Sequence, residues 1–192
     1  MTIALEGNWE KGFAFDVHTL ASTYLGSDEF GHAQWDNTRS EMGELVYKLK
    51  YQRDKSALPS IIKLLDKIKG VEKFNYIIPI PPTHGGRAFQ PVTEIALALG
   101  EHHGIKVLTD FLKKRPGGQP LKDVNDPDER KALLGASLYV ESDPSLAGCD
   151  ILLLDDLYRS GATLSVATEL LYREAHANKV CVLTMTKTRS NR

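Results

Sequence analysis

At 192 residues, with 42% hydrophobic and 26% charged side chains, the chain has the make-up of one globular domain with room for a small extension, and not of a disordered or fibrous protein. A formal net charge of -1 supplies no global attraction to DNA or acidic lipid, so nucleic-acid binding would require a local basic patch. Its two cysteines, Cys149 and Cys181, fit neither a zinc ribbon nor a disulfide framework and read as buried thiols in a reducing cytoplasm, while no apolar run approaches a membrane span and MTIALEGNWEKG is no signal peptide.

Residues 12–25, rich in aromatic and β-branched side chains, predict a strand or hairpin turned by GSDEFGH. Ser40 and an acidic first turn open a helix through SEMGELVYKLKY. A second helix follows at about 57–69, where Ile61, Leu64, Leu65 and Ile68 share a face. Beyond residue 72 the texture changes. YIIPI (76–80) is a short apolar strand, 91–104 a helix with early proline and late glycine, and KVLTDFL (106–112) another strand. The polar, Gly/Pro-rich segment 113–136 holds at most one short helix near its end. Strands are predicted at 137–140, 151–155 and 180–186, with a helix at 162–176 between the last two. Continuous apolar strands alternating with amphipathic helices imply an α/β, doubly wound parallel sheet with both faces covered.

In such sheets ligands sit beyond the carboxyl ends of the strands. ILLLDDLYRSGAT (151–163) places Asp155 and Asp156 at such an end. Gly161 then allows close backbone approach, Ser160 and Thr163 offer hydroxyls, and a helix begins with its amides free, which together make a phosphate cradle. The two carboxylates can accept hydrogen bonds from a sugar diol or orient hydrated Mg2+, and either partner would keep them ionised. Neither a P-loop nor a G-x-G-x-x-G turn is present.

DDLYRSGAT resembles the phosphoribosyl-pyrophosphate (PRPP) motif of type I phosphoribosyltransferases. The resemblance is closest to the ComF-type branch, named for a late competence protein. KLKYQRDKSALPSII (48–62) looks like that branch's K-Y-x-x-D helix start, PIPPTHGGRAF (79–89) like its P-x-P loop, and 113–136 like its segment with a basic start and central Gln. The branch's N-terminal zinc ribbon is missing, since no cysteine precedes residue 40. Ala88 also stands where a glycine is usual before Phe89. The resemblance implies an N-terminal hood over 1–56 and a phosphoribosyltransferase-like core over 57–192. Asp155 and Asp156 would hold the ribose hydroxyls, with Mg2+ directly or through water. Arg159, Ser160, Gly161, Ala162 and Thr163 would bind the 5′-phosphate. Thr83, His84, Gly85 and Gly86 would face the pyrophosphate, with Arg87 as a charge clamp. The segment 113–131 would act as a lid that delivers Lys113, Lys114 and Arg115 on closure.

Two function classes follow. One is a cytoplasmic, Mg2+-dependent phosphoribosyltransferase acting on PRPP and a small nitrogen-containing acceptor, with no membrane or nucleic-acid partner and with room for a homodimer. The other is a non-catalytic PRPP or nucleotide sensor in competence or DNA processing. His18, His32, His102, His103 and His176 show no metal-ligand spacing, and Trp9 and Trp35 read as core or interface residues.

Overall fold

The computed structural model describes residues 2–82, 89–115, 133, 135, 137–140 and 146–189. The chain begins with two strands, β1 (Ile3–Ala4) and β2 (Lys11–Val17), then an antiparallel pair, β3 (Thr19–Ser27) and β4 (Ala33–Arg39). Ser40 caps α1 (Glu41–Tyr47) by accepting from the Gly43 amide at 3.0 Å, and its hydroxyl donates to the Val17 carbonyl. One residue thus starts a helix and fastens it to the end of a strand. The helix predicted to run on through Tyr51 instead widens into a π turn, Lys48–Gln52, which stops at Arg53 with φ 57°. Asp54 caps a short turn into α2 (Leu58–Leu65), whose buried Ile61, Ile62, Leu64 and Leu65 form its inner face.

There follow β5 (Tyr76–Pro79), α3 (Pro91–His103), β6 (Lys106–Val107), β7 (Leu112–Lys114), β8 (Leu138–Val140), β9 (Asp150–Tyr158), α4 (Ala162–Arg173) and β10 (Lys179–Lys187). Six strands make one sheet in the order β1-β2-β10-β9-β5-β6, parallel throughout except for β1 at its edge. Alternation along β9 sets the layers. Ile151 and Leu153 face a core shared with α4, β7 and β8, while Leu152 and Leu154 face a core shared with α1, α2 and α3. The crossover from β5 through α3 lies on one face and that from β9 through α4 on the other, and they lead to opposite edges of the sheet. The fold is therefore α/β and doubly wound, with its topological switch point between β5 and β9.

Three expectations change. Residues 3–17 of the segment expected as a hood supply β1 and β2 to the main sheet, where Phe13 and Ala14 pair with Leu183 and Thr184 of β10. The strand expected at 106–112 divides into β6 and β7 around Thr109 and Asp110, polar residues that bond each other rather than a ladder. The SLYV strand pairs with β7 in a separate antiparallel ribbon, so it does not join the main sheet.

Ser40 carries the connection between β2 and α1, so Ser40→Ala should cost about 1–2 kcal/mol. Urea unfolding should show a lower midpoint with an unchanged slope.

Candidate active site

Pro79, the last residue of β5, pairs with Leu154, and the Ile80 amide bonds the Leu154 carbonyl at 2.8 Å. From Asp155 onward β9 has lost that neighbour, yet it still pairs with β10 as far as Tyr158. The two acids therefore lie within a strand, three and two residues short of its end, on the lip of the crevice where β5 stops. Being adjacent on a strand, they project to opposite faces. Asp155 continues the row of Ile151 and Leu153 toward the α4 side, and Asp156 continues the row of Leu152 and Leu154 toward α1.

Each acid meets its charge differently. Asp156, only 12% exposed at the side chain, receives Lys50 Nζ on Oδ2 at 2.6 Å. Burial alone would lower the Lys50 ammonium, but the facing Asp156 carboxylate outweighs it and the net direction is upward. Asp155 has no such ion pair among the described residues, and the Lys50 charge acts on it only weakly. Burial first, and then the Asp156 charge, push its carboxyl from 3.8 up to about 8, against the opposing effect of the Asp156 amide that it accepts at 2.8 Å. Its partner across the ladder, Thr184, also has a buried hydroxyl without a hydrogen-bond partner among the described residues. The sequence reading kept both acids ionised by means of a ligand. In the structure Lys50 balances Asp156, while burial and the Asp156 charge favour the protonated form of Asp155 as long as no ligand faces it.

A second line of polar contacts braces Asp156 from the β10 side. Thr186 Oγ1 donates to the Asp156 carbonyl at 3.2 Å and accepts from His18 Nδ1 at 3.1 Å. Burial and then the Arg39 charge lower the His18 ring from its usual value, and the tautomer protonated at Nδ1 makes this bond. Sequence reading missed both Lys50 and His18. Lys50 was legible only as part of the K-Y-x-x-D string; nothing nearby in the chain announces His18, which lies 168 residues from Thr186.

The loop beyond β9 is built as its glycine demands. Gly161 has φ +76° and heads α4, whose first amides have no partner within the helix. A Cβ there would come within 2.8 Å of the Tyr158 ring, so a contact within the protein disfavours a side chain. Tyr158 in turn meets the edge of Trp9 at 6.5 Å, and Asn8 Nδ2 donates to the Ser165 carbonyl at 2.9 Å. The N-terminal segment thus holds the loop from beneath. Arg159 and Ser160 are exposed, Ala162 and Thr163 half-buried, and none of their side chains has a polar partner among the described residues. Trp9 is core, whereas Trp35 lies exposed on the β3–β4 ribbon beside Tyr24.

The basic triplet is placed differently from expectation. Lys113 and Lys114 belong to β7, opposite Tyr139 and Leu138. Arg115 is anchored by its amide to the Ser137 carbonyl, and its guanidinium lies 5.2 Å from the Tyr139 ring centre. These three cations lie on or beside a two-stranded ribbon. Thr83, His84, Gly85, Gly86 and Arg87, and residues 116–131 of the expected lid, lie outside the described residues.

No protein-family model and no curated protein matches the sequence. Among solved structures the chain is similar to adenine phosphoribosyltransferase from Thermoanaerobacter pseudethanolicus, at 15% identity and TM-score 0.47, over 86% of this chain and 95% of that one. It is also similar to adenine phosphoribosyltransferase from Saccharomyces cerevisiae (13% identity, TM-score 0.43, 86% and 84%). For orotate phosphoribosyltransferase from Aeropyrum pernix the figures are 14%, 0.44, 86% and 77%. Overlap of this extent assigns neither activity nor ligand to this chain.

The raised carboxyl of Asp155 makes a pH-dependent prediction. Folded Asp155 binds its proton more tightly than unfolded Asp155 between 3.8 and about 8, so across that window it subtracts stability as pH rises. Asp155→Asn removes the loss. The melting temperature of the variant relative to the parent should climb between about pH 5 and about pH 8, by more than the ~2–4 °C that one kcal/mol moves a domain of this size. A constant difference across that range would contradict the buried, protonated state.

Proposed function

We propose that this protein is a Mg2+-dependent phosphoribosyltransferase, which binds PRPP and transfers its phosphoribosyl group to a nitrogen acceptor with release of pyrophosphate. One observation carries the reading. An acid pair on the lip of the switch-point crevice leads, through a left-handed glycine, directly into a helix N-terminus. Few ligands ask for a diol acceptor and an anion cradle so close together; a 5-phosphorylated ribose does.

In this reading Asp155 and Asp156 accept hydrogen bonds from the ribose hydroxyls. The amides of Gly161, Ala162 and Thr163, with Ser160 and Arg159, take the 5′-phosphate. The loop Thr83–Gly86 faces the pyrophosphate and Arg87 neutralises it. The bond from the anomeric carbon to the pyrophosphate oxygen breaks as the acceptor nitrogen bonds to that carbon, and the leaving oxygen takes the electron pair. Holding the two reactants in line and balancing the leaving charge supply most of the acceleration. Part of the segment 1–56 would form a hood for the acceptor.

Carboxylate oxygens suit Mg2+, but one of the two acids already holds Lys50. The ion would therefore be held through one carboxylate, directly or by way of water, together with oxygens of PRPP. Its contribution is charge neutralisation at the pyrophosphate.

Pyrophosphate release from PRPP and Mg2+, measured against a panel of nucleobases and amines, tests the activity. Asp155→Asn combined with Asp156→Asn should weaken PRPP binding by about 3 kcal/mol, more than a hundredfold, while the fold survives. Calorimetry that finds unchanged affinity in the double variant would remove the ribose assignment. Tight binding without turnover on any acceptor would leave a PRPP-sensing protein.

A further inference from the structure

At the amino edge of the sheet, opposite the acid pair, α2 and α3 end side by side. Asp66 is the C-cap of α2, and His102 and His103 are the last two residues of α3, just before β6 begins. His102 Nε2 lies 2.7 Å and His103 Nε2 3.9 Å from the same oxygen, Asp66 Oδ1. The ligating atoms of all three residues lie within 4.8 Å of one another. The rings of His102 and His103 stand edge to face at 4.8 Å, at 84°. His103 Nε2 is buried and has no hydrogen-bond partner among the described residues. A buried ring nitrogen left without a partner is uncommon and costs free energy unless something meets its lone pair.

We infer that Asp66, His102 and His103 form a binding site for a transition-metal dication of the Zn2+ class, built from two imidazoles and one carboxylate. On a tetrahedral ion with bonds of about 2.0–2.1 Å, neighbouring donors sit about 3.3 Å apart. The separations of 2.7 and 3.9 Å from Asp66 Oδ1 fall on either side of that spacing. Asp66 and His102 are almost half exposed, at 43% and 45%, so small rotations of accessible side chains complete the geometry while His103, at 16%, stays in place. Two imidazoles and one carboxylate leave a fourth position to water. Ring nitrogens favour Zn2+ over Mg2+ and Ca2+, which take oxygen donors. Both helices present their negative ends here, which adds to the attraction for a cation.

With the ion bound, the Nε2 lone pairs of His102 and His103 and one oxygen of Asp66 face the metal, and the protons of the rings sit on Nδ1. The site joins the ends of α2 and α3 directly below β5 and β6, and so acts as a clamp on that corner of the fold. It uses none of the residues assigned to PRPP.

Untagged full-length protein, dialysed against EDTA, should bind one Zn2+ per chain by calorimetry. The ion should also raise the melting temperature, because it binds the folded state preferentially. His102→Gln and Asp66→Asn, both at accessible positions where folding is not at risk, should each weaken Zn2+ binding at least tenfold and abolish the thermal shift. Asp155→Asn with Asp156→Asn should leave both readouts unchanged. No Zn2+ binding by the parent would overturn the inference. So would binding that persists in the His102 and Asp66 variants, or that is lost in the Asp155/Asp156 variant. Because no PRPP is present, failure here leaves the phosphoribosyltransferase reading untouched.

Discussion

The contact between Lys50 Nζ and Asp156 Oδ2, at 2.6 Å, is the interaction on which the site depends. It crosses 106 residues of sequence and ties the π turn after α1 to the carboxyl end of β9, one of the sheet's two central strands. Without it two adjacent carboxylates would stand on a buried strand with no cation near either. Removing one partner of a pair that is mostly shielded from water leaves an uncompensated charge, which is why such pairs bind tightly in register even where they add little net stability. Lys50 is still a third exposed, so the pair is open enough to exchange partners when a ligand arrives.

Strand geometry does the rest. Neighbouring residues on a strand point to opposite faces, so the repulsion between Asp155 and Asp156 is divided between two environments, one cationic and one apolar. Asp156 holds the Lys50 ammonium, whereas burial and the Asp156 charge raise the carboxyl of Asp155 to about 8. Because β5 ends at Pro79, the lip on which both stand opens on one side, while β10 keeps the other side rigid. A functional crevice needs this combination of an absent neighbour and a firm one. The braces behind it, from Thr186 and His18 at Asp156 and from Trp9 and Asn8 at the glycine loop, come from chain segments that meet only in the folded sheet.

Much of this was legible from local pattern. The apolar run Ile151–Leu154, the capping Ser40, the glycine at 161 and the proline that opens α3 each act within a few residues, and each stands where its chemistry requires. Long-range matters were not legible. Nothing local tells Phe13 and Ala14 to pair with β10, or Lys113–Lys114 to form a ribbon with Leu138–Val140, because strand partners are chosen by tertiary packing. The pairing of Lys50 with Asp156 likewise needs the fold, as does the meeting of Asp66 with His102 and His103, two histidines whose adjacency in sequence fits no familiar ligand spacing.

If the crevice takes a ribose phosphate beside Asp155, the ligand must meet a carboxylate and not a carboxylic acid, so binding must expel the proton. Calorimetry of PRPP and Mg2+ near pH 7, in buffers of different ionisation heat, measures that proton directly. The parent protein should release about one proton more per ligand than Asp155→Asn, as a carboxyl held near 8 requires. Equal proton release by the two proteins, at equal saturation, would contradict the account.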